Sequence, residues 1–378
     1  MRRVLILQER IPHYRVAFFE RLRAELASDN VRLDVAHGGI TQVGTLRADE
    51  VELPWSLTLP IRRIQIRGRD LIWQRVGSLA SRYDLVILPH QTRYLSGWAT
   101  MLRRKVARRR VALWGMTRNY TAEGANGSWK IADLGLRLMN HLADWYFSYT
   151  EGSNRELLAE GFPECRTTVV QNALDTVPLT RTIRQWRKLT PRQPGTCVFL
   201  GSLHADKRLD FLIAAADIAR EHRPDFRLLV VGDGPLAADI QRVASERDWI
   251  EYRGAQRGDG KVEALALSQL FLAPGQVGLG VLDALAAQTP PVLCAVPYRG
   301  PEAEYAVHDE NALVLPELTT PQQYAMAITQ LLADTDRLES LQRHSAETAS
   351  QVTLEDMTSR FAVGVRKALV APVRRARG

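Results

Sequence analysis

Cysteine is scarce in this chain: only Cys165, Cys197 and Cys294 occur in 378 residues. Three such scattered residues exclude a disulfide framework and a cysteine-based zinc site, and their default role is packing in a reducing compartment. Long apolar runs are also missing. None approaches the ~20 residues that a bilayer-spanning helix needs. The opening Met1-Arg2-Arg3-Val4-Leu5-Ile6-Leu7-Gln8-Glu9 meets a charge too soon for a signal peptide, so 4–7 is expected to be a first strand. Aromatic residues make up 7% of the chain and are few among the arginines, and no nucleic-acid-binding motif is present. The expectation is a cytoplasmic protein with no nucleic-acid partner.

Acidic residues are nearly absent from one stretch. Residues 61–110 hold 13 Lys and Arg but only Asp70 and Asp84 on the acidic side, ending in Arg103-Arg104-Lys105 and Arg108-Arg109-Arg110. Residues 1–180 carry 26 basic and 18 acidic side chains against 24 and 24 in residues 181–378, so the whole excess of +8 lies in the first half. This concentration is read as a docking surface for an anionic membrane or a phosphate-bearing lipid, which makes the protein peripheral on the inner face of the plasma membrane. A solvated helix face is the plainer alternative.

The apolar pattern in the first half alternates between strands (4–7, 31–36, 85–88, 111–114, 145–149) and helices (14–27, 94–107, 130–142, 153–160). Such alternation predicts a doubly wound parallel sheet. It breaks down over 176–195, where Pro178, Pro191, Pro194 and several arginines suggest an interdomain connection. A second β/α series follows from 196 to 315, and then helical segments. The expected organisation is a Rossmann-like domain over 1–175, a linker over 176–195, a second Rossmann-like domain over 196–352, and a helix with a basic tail over 353–378.

In the second half, three apolar runs each end in a turn that leads into a helix. Cys197-Val198-Phe199-Leu200 runs into Gly201-Ser202 and Asp206-Lys207-Arg208. Leu228-Leu229-Val230-Val231 runs into Gly232-Asp233-Gly234-Pro235. Phe271-Leu272-Ala273 runs into Pro274-Gly275-Gln276-Val277-Gly278-Leu279, then Asp283. Strand-to-helix turns with a lysine and backbone amides suit a phosphate at the carboxyl edge of a sheet.

In order and spacing these segments, with Gly300-Pro301-Glu302 and Asn311-Ala312-Leu313-Val314, resemble the donor domain of the GT-B glycosyltransferases, glycosyltransferase family 4 in particular. The resemblance implies an α/β fold of two Rossmann-like doubly wound domains facing each other across a cleft, with the last helix, amphipathic over 357–368, crossing back to the first domain. It also implies transfer of a sugar from a nucleotide diphosphate sugar, with retention and without a metal. No Asp-x-Asp segment occurs at these turns. Donor binding falls to Gly201, Ser202, Lys207, Gly232, Arg253, Gly254, Gly278, Leu279 and Asp283. Ser202 stands where the family has arginine, and Gly275 where it has the first of two glutamates. Pro274 to Leu279 resembles the polysaccharide-assembly branch, which reads Pro-Gly-x-Val-Gly-Leu there.

The acceptor side is expected to use His13, Tyr14 and Arg15 after the first strand, His90 after the third, and Met116, Arg118 and Asn119 after the fourth. Lys207, His90 and Arg15 are the candidate catalytic residues, with structural roles as the alternative for His90 and Arg15. Met116 replaces a family histidine and cannot exchange a proton. A lipid-linked glycan is the expected acceptor, a small soluble molecule the alternative, and a non-catalytic sugar-nucleotide-binding or partner subunit a further one.

Overall fold

A computed structural model describes residues 1–39, 50–66, 69–117 and 129–374. These form two compact units. The first holds the chain up to Asn172 together with 354 onward, and the second holds Ala173–Thr353.

The first unit is built on a seven-stranded sheet: β1 (Arg2–Leu7), β2 (Val31–His37), β3 (Leu57–Thr58), β6 (Leu85–Pro89), β7 (Arg110–Gly115), β8 (Trp145–Ser148) and β9 (Thr167–Val169). Its order is β3-β2-β1-β6-β7-β8-β9, with every neighbouring pair parallel. The strands read Val-Leu-Ile-Leu and Leu-Val-Ile-Leu because sheets covered on both faces have no polar side. Helices α1 (Val16–Ser28), α2 (Gly77–Ala80), α3 (Leu95–Val106), α4 (Trp129–Leu142) and α5 (Glu151–Ala159) fill the crossovers.

The short β3, β9 and α2 have no counterpart in the apolar pattern, and neither has a hairpin of this unit. Ile61–Ile66 (β4) and Arg69–Gln74 (β5) pair as an antiparallel hairpin. Its first strand, Ile-Arg-Arg-Ile-Gln-Ile, is almost wholly exposed, so no buried face imposes a two-residue period.

The second unit repeats the plan with six strands: β10 (Thr196–Leu200), β11 (Arg227–Val231), β12 (Ile250–Gly254), β13 (Leu270–Ala273), β14 (Pro291–Cys294) and β15 (Leu313–Leu315). They are ordered β12-β11-β10-β13-β14-β15, again all parallel. The segment 176–195, read from sequence as an interdomain connection, carries helix α6 (Val177–Leu189). Pro178 sits in its first turn, where the missing N–H costs nothing, and Leu179 and Ile183 are buried. Its Arg187 donates to the carbonyl oxygens of Leu265, Ala266 and Ala287 at 3.1, 3.1 and 2.7 Å. These carbonyls lie at or just beyond the ends of helices α9 (Asp259–Leu267) and α10 (Gly280–Ala286), which leave carbonyls unsatisfied. Between these elements lie α7 (Leu209–His222) and α8 (Ala237–Ser245), and α11 (Pro321–Ala333) and α12 (Thr335–Gln351) follow the sheet.

The last helix, α13 (Leu354–Val370), belongs to the first unit and buries Met357, Phe361, Val365 and Ala368 there. Phe361 stacks on Phe147 with ring centroids 4.3 Å apart and meets Trp114 edge-on at 5.0 Å. Gly364 permits this closeness, because a Cβ there would stand 2.6 Å from the Phe147 ring and from Thr168.

The basic run of the first unit is not uniformly a surface. Arg104 is buried and donates to the carbonyl oxygens of Ala80, Tyr83, Asp84 and Arg110 at 2.6 to 3.1 Å. Lys105 pairs with the buried Asp144 at 3.1 Å. Reading Arg104 as part of a docking surface is therefore corrected: its guanidinium fork ties α3 to the turns on either side of it. Arg104→Ala should lower stability by about 3 kcal/mol, since it removes charge-assisted hydrogen bonds and leaves buried carbonyls unpaired. The neighbouring exposed Arg103→Ala should fall within about 0.5 kcal/mol of wild type. Urea midpoints of the two variants test the contrast.

Candidate functional site

In each sheet the strand order reverses once, beside β1 in the first unit and beside β10 in the second. Ligands of doubly wound sheets lie outside the carboxyl ends of the strands that flank this reversal. In the second unit those strands are β10 and β13, and the turns after them are the ones singled out from sequence.

The two turns are locked together by backbone. Gln276 N–H donates to the carbonyl oxygen of Asp206 at 2.8 Å. A Cβ at Gly275 would lie 2.6 Å from the Lys207 carbonyl oxygen and closer still to that of Asp206. Position 275, read from the resemblance as that of a glutamate, therefore has no room for any side chain here. Arg208 takes up a left-handed conformation at φ 54° and starts α7. The middle turn joins the assembly through Gly201 N–H to Val231 O at 3.0 Å, Leu203 N–H to Asp233 O at 2.9 Å, and Leu236 N–H to Leu203 O at 3.1 Å. The Asp233 carboxylate accepts from Gly234 N–H at 2.7 Å, so this side chain shapes its own turn.

Lys207 stands at the centre. Its ammonium donates to the Gln276 carbonyl oxygen at 2.8 Å and to the Gln276 side-chain oxygen. Burial pulls its pKa below that of a free lysine, while Asp206 and Glu302 act in the opposite sense and favour the cation. Glu302 is itself buried, in the 3₁₀ turn Pro301–Tyr305. That turn is tied to the third loop by Gly300 N–H to Val277 O at 3.0 Å. The space around Gly278 is open, with no atom within 4 Å of where a Cβ would stand. Leu279 immediately precedes α10.

Asp283 is nearly buried on α10, and its carboxylate receives the Lys261 ammonium at 2.8 Å from α9. Arg253 is held by Glu251 and Glu263 at 2.7 and 3.3 Å. The Gly254 carbonyl accepts from Gly232 N–H at 2.8 Å, which joins the ends of β11 and β12. The structure thus gathers Gly201, Ser202, Lys207, Gly232, Gly278, Leu279 and Asp283 on one sheet edge, with Arg253 and Gly254 on its outer strand.

The acceptor-side residues of the first unit follow the ends of its strands. His13, Tyr14 and Arg15 form a 3₁₀ turn before α1. Arg15 is buried, lies 5.3 Å from the Trp114 ring centroid, and donates to the Asn172 side-chain oxygen and to Met357 Sδ at 3.5 Å. His90 is buried at the end of β6. Its Nδ1 lies 2.9 Å from Met116 O and 2.7 Å from Tyr146 Oη, and its Nε2 lies 3.1 Å from Leu136 O. Burial pushes its pKa down to about 4, so the ring is neutral at ordinary pH. A ring with both nitrogens held by protein is a poor proton carrier, and these contacts support the structural alternative for His90 and Arg15. Met116 is partly exposed. Arg118 and Asn119 lie outside the described residues. Among the described residues, no group of three or more His, Cys, Asp or Glu side chains is placed to hold a metal ion.

Three contributors carried no sequence signal of their own: Gln276, Lys261 and the burial of Glu302. Each acts through a partner distant in sequence.

Residues 194–334 match the family Glycosyl transferases group 1. The match spans the six strands of the second unit and the loops that hold Lys207 and Asp283. Comparison with curated proteins gave no match. Among solved structures, the chain resembles Anabaena HepE in complex with UDP, with 17% identity over 97% of this chain and 100% of that one and a TM-score of 0.65. It also resembles the pneumococcal O-GlcNAc transferase GtfA in complex with UDP and GlcNAc (13%, 98% and 99%, 0.65). A third is the sucrose-phosphate synthase of Thermosynechococcus elongatus (15%, 97% and 98%, 0.68). At these identities the likeness is one of fold, and it is the GT-B fold with its parallel α/β sheets.

Gly275→Ala should force the 206–207 backbone away and cost about 2 kcal/mol or more, a fall in Tm of about 4–8 °C. Gly278→Ala, in open space, should leave Tm within about 2 °C of wild type. Thermal unfolding of both variants, monitored by circular dichroism, checks the difference.

Proposed function

We propose that the protein is a retaining, metal-independent glycosyltransferase that moves a sugar from a nucleotide diphosphate sugar to an acceptor hydroxyl. The observation that carries this reading is the half-buried Lys207 ammonium at the locked turns beside the strand-order reversal, inside the segment matching group 1 glycosyl transferases. The UDP complexes of HepE and GtfA favour a nucleotide diphosphate as ligand.

In this mechanism the acceptor oxygen bonds to the anomeric carbon as the bond from that carbon to the diphosphate breaks. The acceptor proton passes to the departing diphosphate oxygen, which removes the need for a basic side chain at Met116 or His90. Lys207 stabilises the negative charge that grows on the leaving group, and the backbone amides near Gly278 and Leu279 assist it. Asp283, oriented by Lys261, accepts hydrogen bonds from the ribose hydroxyls. The acceptor is a lipid-linked glycan of cell-surface polysaccharide assembly, and the protein works at the cytoplasmic membrane face. The basic excess of the first half supports this part of the reading. A second reading, a non-catalytic sugar-nucleotide binder, is favoured by one observation: Gly275, where the resemblance has a glutamate, leaves no room for a side chain.

Nucleotide release from a panel of sugar donors, with and without lipid-linked acceptors and with a chelator present, separates the two. Turnover that survives chelation is expected, and Lys207→Ala should lower kcat ~10²-fold or more. Binding without turnover on every donor–acceptor pair leaves the binder. Independently, Asp283→Ala should weaken nucleotide diphosphate affinity by about tenfold, while Asp283→Glu retains part of it, as read by calorimetry. Unchanged affinity in the alanine variant removes the ribose assignment.

A further inference from the structure

Two parallel crossover helices of the first unit, α3 and α4, expose leucine and valine where a doubly wound fold normally places polar residues. Leu102 and Val106 on α3 are 54% and 88% exposed, and Leu134 and Leu138 on α4 are 67% and 52% exposed. The inward faces are accounted for separately by Gly97, Thr100, Met101 and Arg104 on α3 and by Leu136, Met139 and Asn140 on α4. The four apolar side chains are therefore surplus to the core.

The helices lie side by side. A Cβ on Gly135 would stand 2.8 Å from Thr92, just before α3, and 3.9 Å from the Trp98 ring, while Lys105 reaches Asp144 just beyond α4. Around them positive charge predominates: Arg103, Arg108 and Arg109 are exposed, Glu160 is drawn onto Arg137 at 3.1 Å and Asp144 onto Lys105, and among the described residues the half-buried Asp133 beside Leu134 is the one acidic side chain left over.

We propose that this face docks on an anionic lipid bilayer, with Leu102, Val106, Leu134 and Leu138 entering the headgroup region and Arg103, Arg108 and Arg109 contacting lipid phosphates. Charge chooses the occupant. A second copy of the same face would bring like charges together, whereas an anionic surface complements both the cations and the apolar centre. No helix among the described residues is long and apolar enough to cross a membrane, so contact through this unit is a surface contact. The proposal rests on the membrane part of the function given above and names the face that makes the contact.

The test is cosedimentation of the full chain with vesicles of phosphatidylcholine containing phosphatidylglycerol, at low and high salt, without nucleotide. Wild type should bind. L102Q/L138Q should bind at least about tenfold more weakly at both salt concentrations, because the lost term is apolar. R103Q/R108Q should lose about 25-fold at low salt and little at high salt. Thermal unfolding of both variants should match wild type, since all four positions are exposed. Wild type that ignores the vesicles, a leucine variant that binds like wild type, or a dimer abolished by L102Q/L138Q would overturn the proposal. Vesicle binding by a protein that transfers no sugar leaves it standing and overturns the function, and transfer without vesicle binding does the reverse.

Discussion

The carboxyl edge of the second sheet depends on two pieces of backbone, residues 206–207 and Gly275, lying too close for a Cβ to fit between them. This approach brings the Gln276 amide to the Asp206 carbonyl and the Gln276 side chain to Lys207. It also explains how a half-buried cation is tolerated. The ammonium is met by a carbonyl and a carboxamide oxygen, with the buried Glu302 as counter-charge, so desolvation is offset in part. A side chain held in this way does not need to reorganise when a phosphate approaches, which is the condition for electrostatic catalysis.

The same solution recurs where the chain hides arginine. Arg104 in the first unit and Arg187 in the second each present their fork to several carbonyl oxygens near helix ends. Neither pairs with a carboxylate in these contacts. Net charge read along a sequence therefore overstates the charge offered to partners.

The repeated strand–helix plan was legible because parallel sheets buried on both faces produce unbroken apolar runs, as at Val4 to Leu7 and Leu228 to Val231. The donor-side turns were legible because each follows such a run. Local pattern failed where a residue's role is set by a distant partner. Gln276 reads as a loop glutamine until the Asp206 turn is laid against it. Arg104 reads as one of six basic residues until the carbonyls of 80, 83, 84 and 110 surround it. Gly275 reads as a lost glutamate, although its meaning is steric. The hairpin Ile61–Ile66 and Arg69–Gln74 escaped because its exposed strand carries no periodic apolar signal.

The docking of α13 on the first unit bears on the order in which the protein takes shape during synthesis. The second unit is a continuous stretch, Ala173–Thr353, and has all its strands once that stretch has left the ribosome. The first unit, although translated earlier, lacks the helix that covers Phe18, Trp114 and Phe147 until residues 354–370 emerge. Nascent chains ordinarily fold from their beginning. Here the earlier half must wait with an aromatic cluster uncovered, and translation pauses before residue 354 prolong its exposure to chaperones and to misassembly.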